Sequence, residues 1–183
     1  MSNPENSSIE LELTFLASRI PSEVQGVTPH HLLDIYIPED LTAHSRLRIR
    51  QDNNHYEITK KLPIIANDAS VQVEHTIPLD NNEFLALSRV SNKIIEKDRY
   101  KVVIDGHVAE VDVFMGALRG LVLIDFEFEN SASKLAFSPP GVCLAEVTHE
   151  DFIAGGNLAG RTYAGIEDEL AKFSYRPLEY NIL

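Results

Sequence analysis

Ile9-Glu10-Leu11-Glu12-Leu13 alternates apolar and acidic residues, and this alternation indicates how the chain folds. Successive side chains of a β-strand point to opposite faces, so a strand here has one apolar face and one face with two carboxylates. Residues 124–129 repeat the pattern with three acids, and residues 46–50 repeat it with three arginines. All three stretches therefore predict strands that are apolar on one side and densely charged on the other.

Short strands joined by tight turns are predicted for most of the chain. Asp52-Asn53-Asn54 and Asp105-Gly106 are typical turns between neighbouring strands, and residues 29–33 are predicted to form a turn or a short helix. The predicted strands cover residues 9–17, 33–37, 45–51, 55–62, 70–77, 97–104, 108–114 and 121–129. About eight strands with few helices indicate an antiparallel barrel or a strongly curved sheet.

Two segments have helical features. Residues 80–95 carry apolar side chains at helical spacing, and Asp80 with Glu83 forms a capping-box sequence at their start. Residues 149–175 are predicted to be helical in pieces, with a break at Gly155-Gly156. The sequence thus predicts a few short helices beside a mainly antiparallel sheet.

Length and charge limit the classes of protein that fit. A chain of 183 residues fits one domain, which we place at residues 9–176, with a disordered leader at 1–8 and a tail at 177–183. The formal net charge of −12 argues against non-specific nucleic-acid binding. No apolar run approaches the length that spans a membrane. We therefore expect a cytoplasmic protein without a nucleic-acid or membrane partner, and leave a homodimer open.

The charged faces have two interpretations. In one, they all line the inside of a barrel, where clustered carboxylates would suit Mg²⁺ or Mn²⁺ and arginine forks would bind phosphate oxygens. In the other, they are solvent faces of a half-buried sheet, and cross-strand ion pairs contribute roughly 0.2–1 kcal/mol each. Composition alone does not separate a charged tunnel from a charged outer sheet.

The order of the motifs resembles that of the CYTH domain, the triphosphate tunnel metalloenzyme superfamily. That superfamily includes inorganic triphosphatases, thiamine triphosphatases and class IV adenylate cyclases. Each motif is short, and their shared order over residues 9–160 carries the resemblance. The matching segments are Glu10-Leu11-Glu12, Leu47-Arg48-Ile49-Arg50, Ile58-Thr59-Lys60-Lys61, Glu74 before Ile77-Pro78, Lys97-Asp98-Arg99-Tyr100, Glu110-Val111-Asp112-Val113-Phe114 with Gly120-Leu121-Val122, Asp125-Phe126-Glu127 and Glu146-Val147-Thr148.

The resemblance implies an α+β fold that is mainly antiparallel β: a closed eight-stranded, tunnel-like barrel with flanking helices. It implies a divalent metal, Mg²⁺ or Mn²⁺, and a small molecule that contains a triphosphate. The implied metal ligands are Glu10, Glu12, Asp112, Asp125 and Glu127. The implied substrate-binding residues are Arg48, Arg50, Lys61, Glu74, Lys97 and Arg99. Glu10, Glu12 and Lys97 are the candidate catalytic residues.

This chain departs from the family pattern at several charged positions. Thr14 stands where the N-terminal motif has a lysine, and Ala145 replaces a second lysine. Ser70 and Gln72 replace an arginine and a glutamate of one strand. Asp125 stands where the family has the first glutamate of a Glu-x-Glu pair. The leading expectation is a metal-dependent triphosphatase. Two alternatives stay open, a class IV adenylate cyclase and a polyphosphate- or nucleotide-binding module without turnover.

Overall fold

The sheet is the main element of the fold. The computed structural model describes residues 7–40, 42, 44–65 and 68–179. Within these residues the strands are β1 (Ser7–Ala17), β2 (His30–Ile37), β3 (Leu47–Asp52), β4 (His55–Pro63), β5 (Val71–Leu79), β6 (Ile94–Ile104), β7 (His107–Phe114), β8 (Val122–Glu127) and β9 (Cys143–Glu146). Of the predicted leader, residues 1–6 lie outside the described residues, whereas Ser7 and Ser8 belong to β1.

The sheet closes into a barrel through β1. The strand order is β5-β4-β3-β2-β6-β7-β8-β1-β9, with a further pairing between β5 and β1. Residues 7–11 of β1 pair antiparallel with β5, and residues 12–16 pair antiparallel with β8. The last residues of β1, Phe15–Ala17, also pair with β9. The predicted closed eight-stranded antiparallel barrel is therefore confirmed, and β9 is one additional strand beside it.

Helices within the described residues are short: α1 (Asn81–Leu87), α2 (Ser131–Leu135), α3 (Gly155–Leu158) and α4 (Glu167–Ala171). The predicted capping box at the start of α1 is present, since the Asp80 side chain accepts from Glu83 N and the Glu83 side chain accepts from Asp80 N. None of these helices combines the length and apolar character needed to cross a membrane. Residues 177–179 are irregular, and residues 180–183 lie outside the described residues.

Two local predictions are wrong, and both errors come from contacts distant in sequence. The helix predicted for 80–95 ends at Leu87, followed by a 3₁₀ turn, because Ile94 and Ile95 pair with β2 as the start of β6. The turn predicted for 29–33 is instead mostly part of β2, which pairs with β3 and β6 on its two sides. Pairing with two strands satisfies the backbone hydrogen bonds of β2 more completely than a turn would.

Residues 149–175 contain short helical pieces as predicted, and the break before α3 lies at Ala154, so that Gly155-Gly156 begin α3. A Cβ atom on Gly156 would lie 1.9 Å from the Ser45 carbonyl oxygen, and one on Gly155 would lie 2.1 Å from Tyr36 Oη. Glycine is needed here because α3 packs directly against β2 and the segment before β3. This contact holds the C-terminal part of the chain against the barrel.

One of the two large apolar clusters packs on the outside of the barrel. Val111, Ile124 and Phe126 are fully buried on the outer face of β7 and β8, against Phe137 and other residues of the flanking segments. Since side chains alternate between the faces of a strand, this outer apolar layer directs the charged residues of the same strands inward. Much of the core thus surrounds the barrel, and the charged faces of these strands point into its interior.

Candidate active site

A cavity of about 550 Å³ occupies the barrel interior. Every predicted site residue lines it: Glu10, Glu12, Arg48, Arg50, Lys61, Glu74, Lys97, Arg99, Asp112, Asp125 and Glu127. These residues come from seven of the eight barrel strands, so barrel closure brings together groups that are far apart in sequence. The interpretation as a charged outer sheet is wrong, because these side chains face one shared cavity.

One end of the cavity has an apolar floor. The charged faces of β1, β6, β7 and β8 each continue into an apolar residue, and these are Leu16, Ile95, Phe114 and Leu123. All four belong to one buried cluster, which also contains Val147, Ile153 and Leu158 from the C-terminal part of the chain. This floor places the charged groups toward the opposite end of the barrel.

Uncompensated negative charge lies where β1 meets β8. Their register places Glu12 opposite Glu127 and Thr14 opposite Asp125. In the described part of the chain Asp125 Oδ1 is buried without a hydrogen-bond partner, and Arg99 Nη2 lies 3.6 Å from the Asp125 carboxylate. Burial and the neighbouring carboxylates of Glu12 and Asp112 raise the pKa of Asp125 well above its usual range. A cation placed here would relieve this repulsion.

Glu127, like Asp125, lies close to other carboxylates. Burial, Glu110 and Glu12 raise the pKa of Glu127. Among the described residues, neither Glu12 nor Glu127 forms an ion pair. Among the five predicted metal ligands, the unpaired acids are therefore Glu12 and Glu127, with Asp125 held only by one long contact.

The other two predicted metal ligands already have cationic partners. Arg99 donates to both oxygens of Asp112 at 2.6 Å, and Lys97 Nζ donates to the same carboxylate. Burial acts to raise the pKa of Asp112, but Arg99 and Lys97 outweigh it and hold that pKa well below its usual range. Glu10 Oε2 accepts from Lys61 Nζ at 2.5 Å. Geometry thus divides the five acids into a paired and an unpaired group.

The unpaired acids suit a divalent cation by their chemistry. Carboxylate oxygens are the ligands that Mg²⁺ and Mn²⁺ prefer, and Asp125 offers a buried oxygen that lacks a partner. No three such side chains converge as a preformed metal cage in the described residues. Mg²⁺ does not require such a cage, because it is commonly held by one or two carboxylates together with substrate phosphates and water. The residues present therefore fit a metal that binds together with a phosphate substrate.

The cationic side of the cavity contains a buried guanidinium nitrogen that lacks a partner. Arg48 Nε is buried and has no hydrogen-bond partner in the described residues. Lys61 Nζ lies between Glu10 and Glu74, 3.1 Å from Glu74 Oε2. Burial and the nearby Arg99 cation lower the pKa of Lys97, whose Nζ lies 5.6 Å from the Phe114 ring centroid. An anion entering the cavity therefore meets a donor in Arg48 Nε that lacks a protein partner.

Two residues that differ from the family pattern, Thr14 and Ser70, form hydrogen bonds with nearby side chains. Thr14 Oγ1 donates to Glu12 Oε1 at 3.2 Å, and Thr14 N donates to Thr148 Oγ1 at 3.0 Å. Ser70 Oγ donates to Asp68 Oδ1 and accepts from Lys134 Nζ of α2. Thr14 therefore orients an acid where the family motif supplies a cation, and Lys134 brings a cation close to Ser70.

Sequence reasoning missed several residues of the site. Asp34 is 1% exposed and forms a bidentate ion pair with Arg50, although it was not among the predicted residues. A single acid between apolar residues on β2 was the only available signal for it. Tyr36, Thr148 and His149 also line the cavity. Thr148 lies in the Glu146-Val147-Thr148 motif but was given no role, and no local pattern marked Tyr36 or His149 as residues of the site.

Comparisons with known proteins show relatives in sequence and in fold. No protein-family model matches the chain. An inorganic triphosphatase of Nitrosomonas europaea is 30% identical over 143 residues, covering 77% of this chain and 90% of that protein. An inorganic triphosphatase of Acetivibrio thermocellus is 26% identical over 133 residues, covering 73% of this chain and 82% of that protein.

Solved structures show the same likeness. The crystal structure of an inorganic triphosphatase superimposes with a TM-score of 0.60 and 28% identity, covering 82% of this chain and 93% of that one. A structure from Bacillus halodurans, assigned provisionally as an adenylate cyclase, has a TM-score of 0.53 over 97% of this chain and 96% of that one. At 14% identity the second likeness concerns the fold alone.

Proposed function

The chain belongs to the CYTH, or triphosphate tunnel metalloenzyme, superfamily, and from this membership we propose that it hydrolyses a linear triphosphate in its barrel with the help of a divalent metal. One observation supports this proposal above the others. The same cavity contains a buried guanidinium nitrogen, Arg48 Nε, and a buried carboxylate oxygen, Asp125 Oδ1, and neither has a partner in the described residues. A phosphate oxygen would satisfy the first group, and a cation would satisfy the second.

The cations of the cavity would bind the phosphates. Arg48, Arg50 and Arg99 carry planar forks that match phosphate oxygens, and Lys61 and Lys97 add point charges. Glu74 would act indirectly, because it accepts from Thr76 Oγ1 and lies 3.1 Å from Lys61 Nζ. It would hold that ammonium group toward the substrate.

Glu12, Asp125 and Glu127 would hold the metal, with Glu10 and Asp112 beside them, and we propose Mg²⁺ or Mn²⁺. When bound, such a cation neutralises phosphate charge and orients the reacting group. Glu10 and Glu12 would position the attacking water and accept its proton as its oxygen bonds to the terminal phosphorus. The bond to the bridging oxygen breaks, and Lys97 would stabilise the negative charge that develops on the departing diphosphate.

Phosphate release from triphosphate, ATP and thiamine triphosphate, each with Mg²⁺, Mn²⁺ or EDTA, tests the proposal. We expect metal-dependent release from at least one of these compounds and loss of release in EDTA. Metal-dependent binding without product would instead support the binding module, which the loss of cations at Thr14 and Ala145 favours. Formation of cyclic AMP from ATP would identify a cyclase, which no feature of the site favours. The cytoplasmic location and the homodimer stay predictions.

A further inference from the structure

The two arginines of β3 that line the cavity differ in their partners. The β2–β3 register places Asp34 opposite Arg50 and Tyr36 opposite Arg48. Arg50 Nε and Nη2 donate to the two carboxylate oxygens of Asp34, both at 2.7 Å. The pair is bidentate and Asp34 is almost fully buried, which is the geometry in which an arginine fork is most firmly held.

Arg48 has no comparable partner. Its Nε lies 3.8 Å from Asp34 Oδ1, beyond hydrogen-bond distance, and its Nη2 lies 3.9 Å from Glu57. The side chains of Arg48 and Arg50 are both 12% exposed. The two arginines are therefore equally buried. They differ in that Arg50 forms a bidentate ion pair with Asp34 and Arg48 does not.

We propose that Asp34 is a positioning residue that restrains Arg50 and thereby sets how much positive charge the cavity offers to a phosphate chain. This inference rests on the proposed triphosphate site. Arg48 is the principal guanidinium for the substrate, because its Nε has no hydrogen-bond partner in the described residues and no bidentate ion pair holds its fork. Arg50 must share or give up its contact with Asp34 before it can bind a phosphate with the same atoms.

The effect of Asp34 on affinity should depend on the charge of the ligand. Charges interact more strongly in a partly buried cavity than in water, so one additional unpaired guanidinium raises anion affinity. A longer phosphate chain carries more negative charge and gains more from that cation. Asp34 would therefore disfavour chains longer than triphosphate, chiefly through Arg50, the arginine to which it is hydrogen-bonded.

Two variants and their combination test this inference. Calorimetry in EDTA, which limits turnover, would measure the binding of triphosphate and tetraphosphate to the wild type, Asp34→Asn, Arg48→Gln and Asp34→Asn with Arg50→Gln. We expect Asp34→Asn to bind triphosphate about tenfold more tightly, with a larger gain for tetraphosphate. Asp34→Asn with Arg50→Gln should lose this gain, because the guanidinium that Asp34 restrains is then absent. Arg48→Gln should lose at least tenfold.

Steady-state kinetics with metal add a measurement that a purely structural role would not change. In Asp34→Asn, KM for triphosphate should fall, and kcat should not rise, because tighter binding of substrate and product does not by itself speed the reaction. Weaker or unchanged binding by a folded Asp34→Asn would overturn the inference.

The test remains informative if Asp34→Asn does not fold. In that case the inference is contradicted when Asp34→Asn with Arg50→Gln loses as much affinity as Arg48→Gln. Failure of the wild type to bind triphosphate with or without metal would contradict the proposed function instead, so the two failures are distinguishable.

Discussion

At the scale of single residues, Arg48 is a cation of the cavity with a buried donor that lacks a partner in the described residues. Its Nε is buried without a partner in the described residues, so truncation removes a donor that is available to the substrate. We predict that Arg48→Ala weakens triphosphate binding by about 2–3 kcal/mol, because a charge-assisted contact in a partly buried site is lost. Phosphate-release kinetics would show this as a KM increase of roughly 30-fold or more.

Arg119→Ala is a suitable control for Arg48→Ala. Arg119 is exposed and does not line the cavity, so its removal should leave KM unchanged within error. Equal effects of the two substitutions would indicate general electrostatic attraction by the protein and not a specific contact at Arg48.

The unpaired acids lead to a second prediction at this scale. Glu12→Gln with Glu127→Gln removes two like charges that face each other across β1 and β8. We expect the metal-free variant to be more stable than the wild type, by about 1 kcal/mol, because repulsion is relieved. Added Mn²⁺ should raise the melting temperature of the wild type but have little effect on the variant. Equal stabilisation of both proteins by Mn²⁺ would place the metal elsewhere.

Asp34 contributes to the pH dependence of the protein's stability in acid. Burial acts to raise its pKa, but the Arg48 and Arg50 cations dominate and hold that pKa well below the unfolded value of 3.8. A carboxyl group with a lowered pKa stabilises the fold above its unfolded pKa, and that contribution is lost as pH falls toward the folded pKa. Urea unfolding should therefore show that the stability difference between wild type and Asp34→Asn shrinks from about pH 5 to about pH 3. A constant difference over this range would contradict the account of Asp34.

The sequence predicted which residues would point inward but not how they would pair. Alternation fixes the face of Glu12 and Asp125 once their segments are strands, and the order of the motifs predicted that this face lines the barrel. Whether an acid has a cationic partner depends on the register between strands. Asp34 and Asp112 are paired and Glu127 is not, and no local pattern distinguishes them.

At the scale of secondary-structure elements, α3 depends on its two glycines. A Cβ on Gly156 would meet the Ser45 backbone oxygen at 1.9 Å, which cannot be relieved by rotating a side chain. We predict that Gly156→Ala destabilises the protein by about 1–3 kcal/mol, since overpacking displaces α3 from the barrel. Chemical denaturation would measure this.

Gly141→Ala provides a matched control for Gly156→Ala. A Cβ on Gly141 would have nothing within 4 Å. The free energy of unfolding of Gly141→Ala should therefore stay within about 0.5 kcal/mol of the wild-type value. A similarly small change for Gly156→Ala would mean that α3 is free to shift without cost.

Element boundaries were less predictable than element types. Most strands fell within two or three residues of their predicted bounds, because alternation and turn sequences are local signals. The start of β6 was missed because Ile94 and Ile95 fit the helical spacing of 80–95 equally well. Pairing with β2 decides their structure, and that contact is distant in sequence.

At the scale of the whole molecule, the barrel has its polar groups inside and much of its apolar packing outside. Composition alone left this arrangement open, because a charged outer sheet would have had the same alternation. Closure of β1 against β5 encloses the charged faces, and the outer apolar cluster excludes the opposite orientation. The fold was predictable from the order of the motifs, whereas the apolar floor and the contribution of α3 were not.

A crystal structure of the protein with triphosphate and Mn²⁺ would test the convergence of these charges most directly. We predict triphosphate density inside the barrel in contact with Arg48, and anomalous density for Mn²⁺ beside Glu12, Asp125 or Glu127. Triphosphate or Mn²⁺ bound only on the outer surface, with an empty barrel, would contradict the account.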